Sequence, residues 1–447
     1  MVRISVIGMG FVGLCSAVCF ADRGYETYIS TLNQERASLV SKGVPPFFEP
    51  KLKEFLQRVL ERRSLKVVIG REEAILNSDI SFITVGTPSN PDGSINLSYV
   101  RDTIIDCAKA LRENELKHLI VIKSTVLPGT TGGLIKRLTE VNSGKKCGED
   151  LLLCFNPEFL REGSAIYDTL HPDYIVIGEC DEKSGDVLEK FYRDFYKDTL
   201  PPMIRTNPAT AELIKYANNA FLATKISFIN SIANICERIP EVDVTVVAKT
   251  IGLDERINPK FFNAGLGWGG SCLPKDIKAL IAFSRELKYE PEMIRSVWDV
   301  NESQVELVTE RIKKELGELN NKRIAILGLS FKPNTDDVRE ARSIKIIDKL
   351  LEEGAKIVAY DPQAIPKIQT IFGQRVEYAP SAIDCLKNAD CCVLVTEWDE
   401  FKELYPEDFA KNMRRPILID GRRIYDPRKF AKEVRYIGIG FGGFKQT

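Results

Sequence analysis

The chain has 447 residues, of which 62 are basic and 63 acidic, so its formal net charge is −1. At roughly 100–200 residues per domain, this length predicts two to four domains. The balanced charge argues against an overall basic nucleic-acid-binding protein. No apolar run approaches the roughly 18 residues of a membrane-spanning helix. The residues before Gly8 carry no basic leader and no small-residue cleavage site, so we expect no secretory signal.

The expected compartment is therefore the cytoplasm, where the 11 cysteines are thiols and not disulfides. The sequence has no Cys-x-x-Cys pair, and its only histidines are His118 and His171. We therefore predict no metal site and no histidine-dependent triad.

Short apolar runs alternate with amphipathic stretches over the first 200 residues, which predicts a parallel, doubly wound sheet. The predicted strands are Arg3–Ile7, Glu26–Ser30, Lys66–Ile69, Asp79–Val85, Leu119–Lys123, Leu151–Phe155 and Tyr174–Ile177. The predicted helices are Val12–Arg23, Leu52–Arg62, Tyr99–Leu111 and Val187–Tyr196.

The pattern changes after Pro201-Pro202, where a long helix is expected from Pro208 to about Glu237, capped by Asn207. Further helices are predicted at Val242–Ile251, Asp276–Leu287 and Glu292–Leu316. A second alternating region has predicted strands at Arg323–Leu327, Lys356–Ala359, Cys391–Val395 and Ile417–Ile419. We thus expect two Rossmann-like α/β domains, residues 1–203 and 317–447, joined by a helical region with a long central helix, residues 204–316. The tail after Tyr436, rich in glycine and phenylalanine, has no predicted place.

A glycine-rich loop follows the first predicted strand and opens the first helix. It reads Gly8-Met9-Gly10-Phe11-Val12-Gly13, the Gly-x-Gly-x-x-Gly pattern of dinucleotide-binding folds. Such a loop lets the backbone approach a pyrophosphate, and the helix N-terminus offers free N–H groups to the phosphates. The alternative is a glycine-rich turn of an ordinary α/β fold.

The acidic residue expected about 20 residues later, at the end of strand two, is missing. Thr31 stands where a carboxylate would bind the ribose hydroxyls, and Arg36 follows five residues later. We predict NAD as cofactor, with weakened discrimination against NADP. The first turn of the second α/β half has a single glycine, Gly328, before Phe331 and Lys332, which suits a different nucleotide.

The most unusual stretch is Gly267-Trp268-Gly269-Gly270-Ser271-Cys272-Leu273-Pro274-Lys275-Asp276. The glycines let the backbone come close to a ligand. A thiol near a helix N-terminus and a lysine can have a depressed pKa and act as a nucleophile. The alternative is a small buried core cysteine.

Two other stretches carry candidate charges. Glu158 and Glu162 follow the strand Leu151–Phe155, at the edge where open α/β sheets bind ligands, although solvated loop charges are the usual alternative. Lys215 and Asn219 lie four residues apart on one face of the long helix, where surface polar residues would also be ordinary.

Together these stretches resemble the nucleotide-sugar 6-dehydrogenases, in order and over essentially the whole chain. The resemblance rests on Gly8-x-Gly10-x-x-Gly13, Val85-Gly86-Thr87-Pro88, Lys123-Ser124-Thr125-Val126, Asn156–Gly163, Lys215-x-x-x-Asn219, Gly269–Asp276, Phe331-Lys332 and Asp420-Gly421-Arg422. It implies that UDP-glucose is oxidised at C6 to UDP-glucuronate, with two NAD reduced and a covalent intermediate on Cys272.

The resemblance also implies roles for individual residues. Lys215 and Asp276 would lie around the reacting C6, Asn219 would bind substrate or oxyanion, Glu158 would assist proton transfer and Thr125 would position the hydrolytic water. Substrate contacts would come from Phe159, Leu160, Arg161, Asn263, Gly265, Gly267, Trp268, Gly269, Phe331, Lys332 and Arg422, with Arg256 reaching the substrate of a neighbouring subunit. Cofactor contacts would come from Gly8, Met9, Gly10, Phe11, Val12, Gly13, Thr31, Arg36, Gly86, Thr87, Ser124, Thr125, Glu162, Lys275 and Arg339.

Alternatives remain open within and outside this resemblance. The same chemistry could act on GDP-mannose or a UDP-N-acetylhexosamine, and Tyr174 and Trp268 are atypical of UDP-glucose enzymes. A two-electron hydroxyacid dehydrogenase would not need Cys272, and neither would a non-catalytic nucleotide-binding protein. The apolar circumference of the long helix, with Phe221, Ile226, Phe228, Ile229 and Ile232, predicts a homodimer interface.

Overall fold

The computed structural model describes residues 2–114 and 117–444, which form two compact units. The first unit contains the chain up to Asn218 together with Lys278–Phe283. The second contains Asn219–Ile277 and the described chain from Ser284 onward. Each unit is built on one sheet with helices on both faces, which confirms the predicted fold class.

The first unit holds an eight-stranded sheet in the order β3-β2-β1-β4-β5-β6-β7-β8. Its strands are β1 Ile4–Ile7, β2 Thr27–Thr31, β3 Leu65–Ile69, β4 Ile80–Ile83, β5 His118–Ile122, β6 Leu151–Phe155, β7 Ile175–Glu179 and β8 Met203–Thr206. Its helices are α1 Phe11–Asp22, α2 Gln34–Ser41, α3 Leu52–Glu61, α4 Glu72–Leu76, α5 Ser98–Ala110, α6 Lys136–Ser143, α7 Ala165–Leu170 and α8 Glu182–Tyr196. A π-helical turn, Thr131–Ile135, precedes α6, and a 3₁₀ turn, Lys197–Thr199, follows α8.

Alternate residues of the strands supply the two apolar layers of this unit. Ile4, Val6 and Ile29 pack with α1 and α3 on one face of the sheet. Ile7 and Ile83 pack with α5 on the other face. Because both faces are covered, the central strands β1 and β4 are apolar except for the buried Ser5 and Ser81, whose hydroxyls hydrogen-bond to each other at 2.6 Å.

One strand departs from the predicted parallel arrangement: β7 runs antiparallel to β6, while the other neighbouring pairs of this sheet are parallel. An antiparallel neighbour needs no crossover, so the connection from Asn156 to Tyr174 can return at the edge where β6 ends. The segment that carries Glu158 and Glu162 therefore stays at the carboxyl edge of the sheet.

The second unit holds a parallel six-stranded sheet in the order β11-β10-β9-β12-β13-β14. Its strands are β9 Arg323–Leu327, β10 Lys356–Tyr360, β11 Val376–Tyr378, β12 Cys391–Leu394, β13 Ile417–Asp420 and β14 Arg435–Gly438. The remaining helices of the chain are α9 Pro208–Cys236, α10 Val244–Ile251, α11 Leu273–Glu286, α12 Glu292–Leu316, α13 Arg342–Glu352, α14 Ile365–Phe372, α15 Ala382–Leu386, α16 Asp399–Lys402, α17 Pro406–Asn412 and α18 Pro427–Phe430. A 3₁₀ turn, Gly373–Arg375, follows α14.

The long helix α9 is confirmed, with 29 residues from Pro208 to Cys236, or about 44 Å at 1.5 Å per residue. Its predicted cap is also present, because the Asn207 side chain accepts a hydrogen bond from the Thr210 N–H at 2.9 Å. The helix begins in the first unit and continues into the second.

The tail that had no predicted place completes the second unit. After β14, the Gly440 N–H donates to Glu237 at 2.8 Å, and the Gly440 carbonyl accepts from the Val244 N–H at 2.9 Å. A Cβ on Gly440 would lie 2.4 Å from the Val244 side chain, and its φ is +67°, so glycine is required there. Within residues 2–114 and 117–444, no helix is long and apolar enough to cross a bilayer.

Candidate active site

The glycine loop of the first unit is shaped by close packing at two positions and is open at the third. Gly8 has φ +118°, and a Cβ on Gly13 would lie 2.0 Å from the Gly8 carbonyl oxygen. A Cβ on Gly10, by contrast, would meet no atom within 4 Å. Gly10 is also the N-cap residue of α1, and because it has no side chain it forms no capping hydrogen bond with the helix N–H groups. The loop therefore leaves a cradle and free helix N–H groups, which fit the pyrophosphate of a dinucleotide.

The end of β2 lies beside this loop. The Gly8 N–H donates to the Ser30 carbonyl at 3.0 Å, and Thr31 is the next residue of the strand. Arg36, in the first turn of α2, reaches the loop by donating from Nη1 to the Met9 carbonyl at 3.4 Å. Phe11 and Val12 open α1. The residues predicted for the cofactor at β1 and β2 are thus brought together.

The ends of β4 and β5 contribute to the same edge, because β1, β4 and β5 are neighbours in the sheet. Ser124 donates from its hydroxyl to the Val85 carbonyl at 2.7 Å, which holds the chain just before Gly86 and Thr87. A Cβ on Gly86 would meet no atom within 4 Å, so this position is open like Gly10. Thr125, one residue after Ser124, is half-buried.

Glu158 and Lys215 form an ion pair in the first unit. Lys215 Nζ donates to Glu158 Oε1 at 3.0 Å and to the Glu158 carbonyl at 2.6 Å, and both side chains are less than 8% exposed. The second carboxylate oxygen of Glu158 accepts from the Leu160 N–H at 2.7 Å. The ammonium also lies 5.3 Å from the centre of the Phe159 ring. Neither residue is a solvated surface charge.

The segment after Glu158 is held from two sides. Arg161 forms hydrogen bonds with Asp168, with 2.6 Å between Nη2 and Oδ1, although its side chain remains exposed. Glu49 accepts from the Gly163 and Ala165 N–H groups, both at 2.7 Å. Glu162 is buried. The sequence analysis did not identify Asp168 and Glu49 as partners of this loop, because nothing in the sequence around either residue links it to the loop.

Tyr174 supports the same segment. Its ring lies 4.8 Å from that of Phe159, centre to centre, and its hydroxyl is 3.4 Å from Asn218 Oδ1. The tyrosine therefore packs behind Phe159.

Lys123 is a half-buried cation to which the sequence analysis gave no role. Its Nζ donates to Asn156 Oδ1 at 2.8 Å, and the same oxygen accepts from the Tyr192 hydroxyl at 2.5 Å. Burial lowers the pKa of Lys123 to about 8, although the Glu158 carboxylate opposes the shift. Its position directly after β5 in Lys123-Ser124-Thr125 was the available signal.

Glu212 lies one helical turn before Lys215 on α9 and is fully buried. Its carboxylate accepts from the backbone N–H groups of Gly129 at 2.6 Å and Thr131 at 2.8 Å. Glu212 therefore ties α9 to the segment that follows Thr125. Burial raises the pKa of Glu212 to about 7, while these hydrogen bonds oppose the shift.

This raised pKa predicts a loss of stability with rising pH. Between the unfolded value near 4.5 and about 7, the folded state binds more protons than the unfolded state, so the free energy of unfolding falls as pH rises. Glu212→Gln should remove this dependence. Urea denaturation at pH 5.5 and 7.5 should show a loss larger in the wild type than in Glu212→Gln by on the order of 1–2 kcal/mol. Equal losses in the two proteins would contradict the assignment.

In the second unit, Cys272 precedes the first residue of α11. Its carbonyl accepts from the Asp276 N–H at 2.9 Å, so Cys272 caps the helix and α11 begins three residues earlier than predicted. Proline is tolerated in a first helical turn, which explains why Pro274 did not delay the start. Ser271 Oγ lies 3.5 Å from the Cys272 sulfur.

The exposure of the cysteines separates Cys272 from the core thiols. Nine of the 11 are buried, and only Cys180 and Cys272 are half-buried. Burial raises the pKa of Cys180 to about 12. Cys180 lies on the edge of an apolar cluster, whereas Cys272 lies at a helix N-terminus. The core-cysteine alternative therefore does not describe Cys272.

Asp276 links two other candidate residues one turn into α11. Asn219 Nδ2 donates to Asp276 Oδ2 at 2.6 Å, and Lys275 Nζ donates to Oδ1 at 2.5 Å. The Asp276 side chain is 1% exposed. The second unit thus brings Cys272, Lys275, Asp276 and Asn219 together.

The glycine segment before Cys272 rests on α12 and on the start of α13. The buried Asn301 accepts from the Trp268 N–H at 2.7 Å, and the buried Arg342 donates to the Trp268 carbonyl at 2.8 Å. A Cβ on Gly269 would lie 2.2 Å from the Glu340 carbonyl oxygen. The sequence analysis did not identify Asn301 and Arg342, because only the tertiary fold brings them to this segment.

Trp268 is a core residue. The residue is 4% exposed, its Nε1 donates to Ser227 at 3.1 Å, and its ring packs edge-on against that of Trp298, with 5.8 Å between the ring centres.

The predicted substrate residue Phe331 packs on Gly270, where a Cβ would lie 2.7 Å from the Phe331 ring. Lys332 Nζ lies 5.6 Å from the centre of the same ring.

Arg422 lies in the loop after β13 and faces the same glycine segment. It donates to the Val395 carbonyl at 2.6 Å and approaches the Gly267 carbonyl at 3.4 Å. A Cβ on Gly265 would lie 2.8 Å from the Gly421 carbonyl oxygen. Arg422 and Asn263 both line a cavity of about 260 Å³, which shares its wall with α10.

Two predicted arginines each pair with an aspartate two residues away in sequence. Arg256 pairs with Asp254 at 2.6 Å and its side chain is 88% exposed. Arg339 pairs with Asp337 at 2.6 Å and is also exposed. The backbone carbonyl of Arg339 also accepts a hydrogen bond from the Gly270 N–H at 2.9 Å.

In the second unit, the turn that follows β9 is held by the carboxylate of a buried aspartate. Asp361, directly after β10, accepts from the backbone N–H groups of Leu329 at 2.7 Å and Ser330 at 3.0 Å. Trp398 Nε1 donates to the same oxygen at 3.0 Å. These N–H groups are therefore occupied by a carboxylate of the protein itself.

The chain matches three models of one family along its length. These are the NAD binding domain of the UDP-glucose/GDP-mannose dehydrogenase family at residues 2–196, its central domain at 209–303 and its UDP binding domain at 325–427. A UDP-glucose 6-dehydrogenase of Haloferax volcanii, AglM, is 42% identical over 428 residues, which cover 96% of this chain and 98% of the relative.

Solved structures agree with the family match. A UDP-glucose dehydrogenase from the hyperthermophilic archaeon Pyrobaculum islandicum has a TM-score of 0.91 and 38% identity, covering 99% of this chain and 98% of that one. A UDP-D-ManNAc dehydrogenase from Pyrococcus horikoshii has a TM-score of 0.86 and 30% identity, covering 98% and 99%. The chain therefore belongs to the UDP-glucose/GDP-mannose dehydrogenase family and is an NAD-dependent oxidoreductase.

Proposed function

We propose that the chain oxidises C6 of UDP-glucose to the carboxylate of UDP-glucuronate through covalent intermediates on Cys272. The observation that carries this proposal is the placement of a half-buried thiol at the N-terminus of α11, one turn before the Asn219–Asp276–Lys275 cluster. Helix N-termini stabilise thiolates, and a thiolate is the form that attacks a carbonyl.

The overall reaction is a four-electron oxidation. One primary alcohol, two NAD⁺ and one water give a carboxylate, two NADH and three protons. NAD, when bound by the glycine loop, supplies the chemistry of hydride acceptance in both oxidations. The chain's own residues, among them Glu158 and Lys215, bind and orient the sugar and exchange protons with it.

Cys272 divides the oxidation into two steps. After the first oxidation its thiolate bonds to C6 of the aldehyde and forms a thiohemiacetal. Loss of a second hydride from C6 converts this group into a thioester. Water then adds to C6, the C6–S bond breaks with its electron pair returning to sulfur, and the carboxylic acid ionises. A covalent thiol thereby holds the reactive aldehyde throughout.

The charged neighbours are proposed to handle the protons and oxyanions of these steps. Lys215 supplies a buried ammonium whose protons already point at oxygen atoms of Glu158. Asn219 supplies an amide N–H held in place by Asp276. Donors fixed before the reaction stabilise a developing oxyanion without reorganisation. Glu158 is the proposed base for the hydrolytic water, which Thr125 would position.

The substrate assignment follows the relatives named for UDP-glucose, at 42% and 38% identity, ahead of the UDP-D-ManNAc dehydrogenase at 30%. An NADH-absorbance assay should give turnover with UDP-glucose at a kcat/KM at least about tenfold above those for GDP-mannose and UDP-N-acetylmannosamine, since tenfold corresponds to about 1.4 kcal/mol of discrimination. A higher kcat/KM for either competitor would replace UDP-glucose as the proposed substrate.

We also propose a homodimer built on α9. Phe221, Phe228 and Ile235 lie seven residues apart, so they share one face of the helix, and their exposed fractions are 62%, 48% and 55%. Ile229, which was expected to share this surface, is buried in the core of the second unit. An apolar stripe of this kind is typical of a surface covered by a partner.

Charge on the stripe should dissociate the dimer. Phe221→Glu combined with Phe228→Glu is expected to give monomers in light scattering, because two carboxylates would lose hydration at the interface. Tyr99→Glu, at an exposed aromatic residue of the first unit, is the matched control and should leave the mass unchanged. A wild-type protein that is monomeric and active would contradict the proposal.

A further inference from the structure

We infer that the end of β2 accepts a 2′-phosphate, so that the first unit binds NADP⁺ as well as NAD⁺. The inference rests on the glycine-loop cofactor site and concerns the ribose end of that site. It is carried by the side chains of Thr31 and Arg36 and by their placement next to Gly8 and Met9.

The register of the sheet fixes where Thr31 lies. Ile7 is opposite Ser30 in the parallel pair of β1 and β2, and the Gly8 N–H donates to the Ser30 carbonyl at 3.0 Å. The next residue of β2, Thr31, therefore lies level with Gly8, the first glycine of the loop. In dinucleotide folds this position carries the acid that binds the ribose hydroxyls and repels a 2′-phosphate.

Thr31 has no charge with which to repel a phosphate. Its Oγ1 accepts from the Asn33 N–H at 3.1 Å, which fixes the side chain beside the start of α2. A hydroxyl that accepts one hydrogen bond still has its own proton to donate. Either a ribose hydroxyl or a phosphate oxygen can accept that proton.

Arg36 supplies the positive charge. The Asn33 side chain accepts from the Arg36 N–H at 2.8 Å, so the residue is fixed in the first turn of α2. Its Nη1 donates to the Met9 carbonyl at 3.4 Å, which directs the guanidinium along the glycine loop. The guanidinium has five N–H donors in all, and an arginine binds phosphate through two of them at once.

Two other basic residues of the first unit differ from Arg36 because a carboxylate neutralises each of them. Arg58 pairs with Asp22 at 2.7 Å, and Lys66 pairs with Glu26 at 2.5 Å. Arg36 has no carboxylate partner within residues 2–114 and 117–444 and is exposed. Glu35, the acid next to it on α2, is exposed too. An unneutralised guanidinium and an uncharged strand end are together the arrangement that suits a 2′-phosphate.

The test is a titration of the full-length protein by calorimetry with NAD⁺, NADP⁺ and 2′-AMP, without substrate. The wild type should bind NADP⁺ with a Kd within roughly tenfold of that for NAD⁺, and 2′-AMP should compete with both. Thr31→Asp should weaken NADP⁺ binding by roughly tenfold or more and should not weaken NAD⁺ binding. Arg36→Met should weaken NADP⁺ more than NAD⁺ by roughly tenfold, the loss expected for one charge-assisted hydrogen bond.

Lys42→Met is the matched control, since Lys42 is an exposed cation at the other end of α2. It should leave both dissociation constants unchanged. Wild-type binding of NADP⁺ more than about 100-fold weaker than that of NAD⁺ would overturn the inference, as would a Thr31→Asp variant with an unchanged ratio. Failure of NAD⁺ itself to bind would instead contradict the cofactor site, so the two failures are distinguishable.

Discussion

Cys272→Ala is expected to abolish UDP-glucuronate formation while NAD⁺ and UDP-glucose still bind. Without the thiolate no thiohemiacetal forms, so the second oxidation loses its covalent substrate. Loss of a catalytic nucleophile lowers kcat by on the order of 10⁴–10⁶-fold in other covalent enzymes. The measurement is UDP-glucuronate by chromatography, with the two binding constants measured separately on the same protein.

The conservative variant Cys272→Ser tests the covalent step itself. A serine ester is expected to accumulate, because an alkoxide leaves less readily than a thiolate, and mass spectrometry of the intact protein should show the added sugar nucleotide. Cys180→Ala is the control, since Cys180 is the other half-buried cysteine and belongs to an apolar cluster. Near-wild-type turnover of Cys272→Ala would remove the covalent mechanism.

Lys215→Met is expected to cost both activity and stability. The substitution leaves the Glu158 carboxylate, 7% exposed, without its ammonium partner. Breaking a buried ion pair from one side typically costs about 3–5 kcal/mol. Loss of a fixed donor to the reacting oxygen lowers kcat by on the order of 10²–10³-fold. Urea denaturation and steady-state kinetics measure the two effects.

The double variant Lys215→Met, Glu158→Gln separates them. Neutralising Glu158 removes the stranded charge, so much of the lost stability should return, whereas the activity should stay low. Recovery of activity together with stability would show that Lys215 serves the fold alone. An unchanged free energy of unfolding in Lys215→Met would contradict the buried pair.

Features of the sequence that act locally could be predicted well. The helix Pro208–Cys236 carries its own cap in Asn207, and the glycine loop follows a strand and precedes a helix. The helix Glu292–Leu316 has the predicted bounds. Local chemistry decided these elements, because their capping, periodicity and turn residues lie within one window of sequence.

Features that depend on distant residues could not be predicted. Glu212 binds the backbone 81 residues away, and Arg342 binds the Trp268 carbonyl across 74 residues. The reversal of β7 likewise depends on the neighbour that β6 acquires in the sheet. No periodicity or spacing in the sequence reports such pairings, which arise only when the tertiary structure forms.

The candidate site divides in the same way. Cys272, Lys215 and Glu158 stood out because their residue types occur in unusual motifs. Lys123 and Asn156 belong to quoted motifs and Asn301 to none, but the hydrogen-bond partners of all three appear only in the fold. The sequence therefore indicated the proposed reacting groups, and the structure added the residues that contact their motifs.

The most direct test of the four-electron reaction is the ratio of NADH formed to UDP-glucose consumed. The reaction is run to completion with limiting UDP-glucose, NADH is measured by absorbance, and a carbonyl reagent reports any free aldehyde. Covalent capture by Cys272 predicts two NADH per UDP-glucose and little aldehyde. A ratio near one, with aldehyde accumulating, would contradict the covalent account and favour a two-electron dehydrogenase.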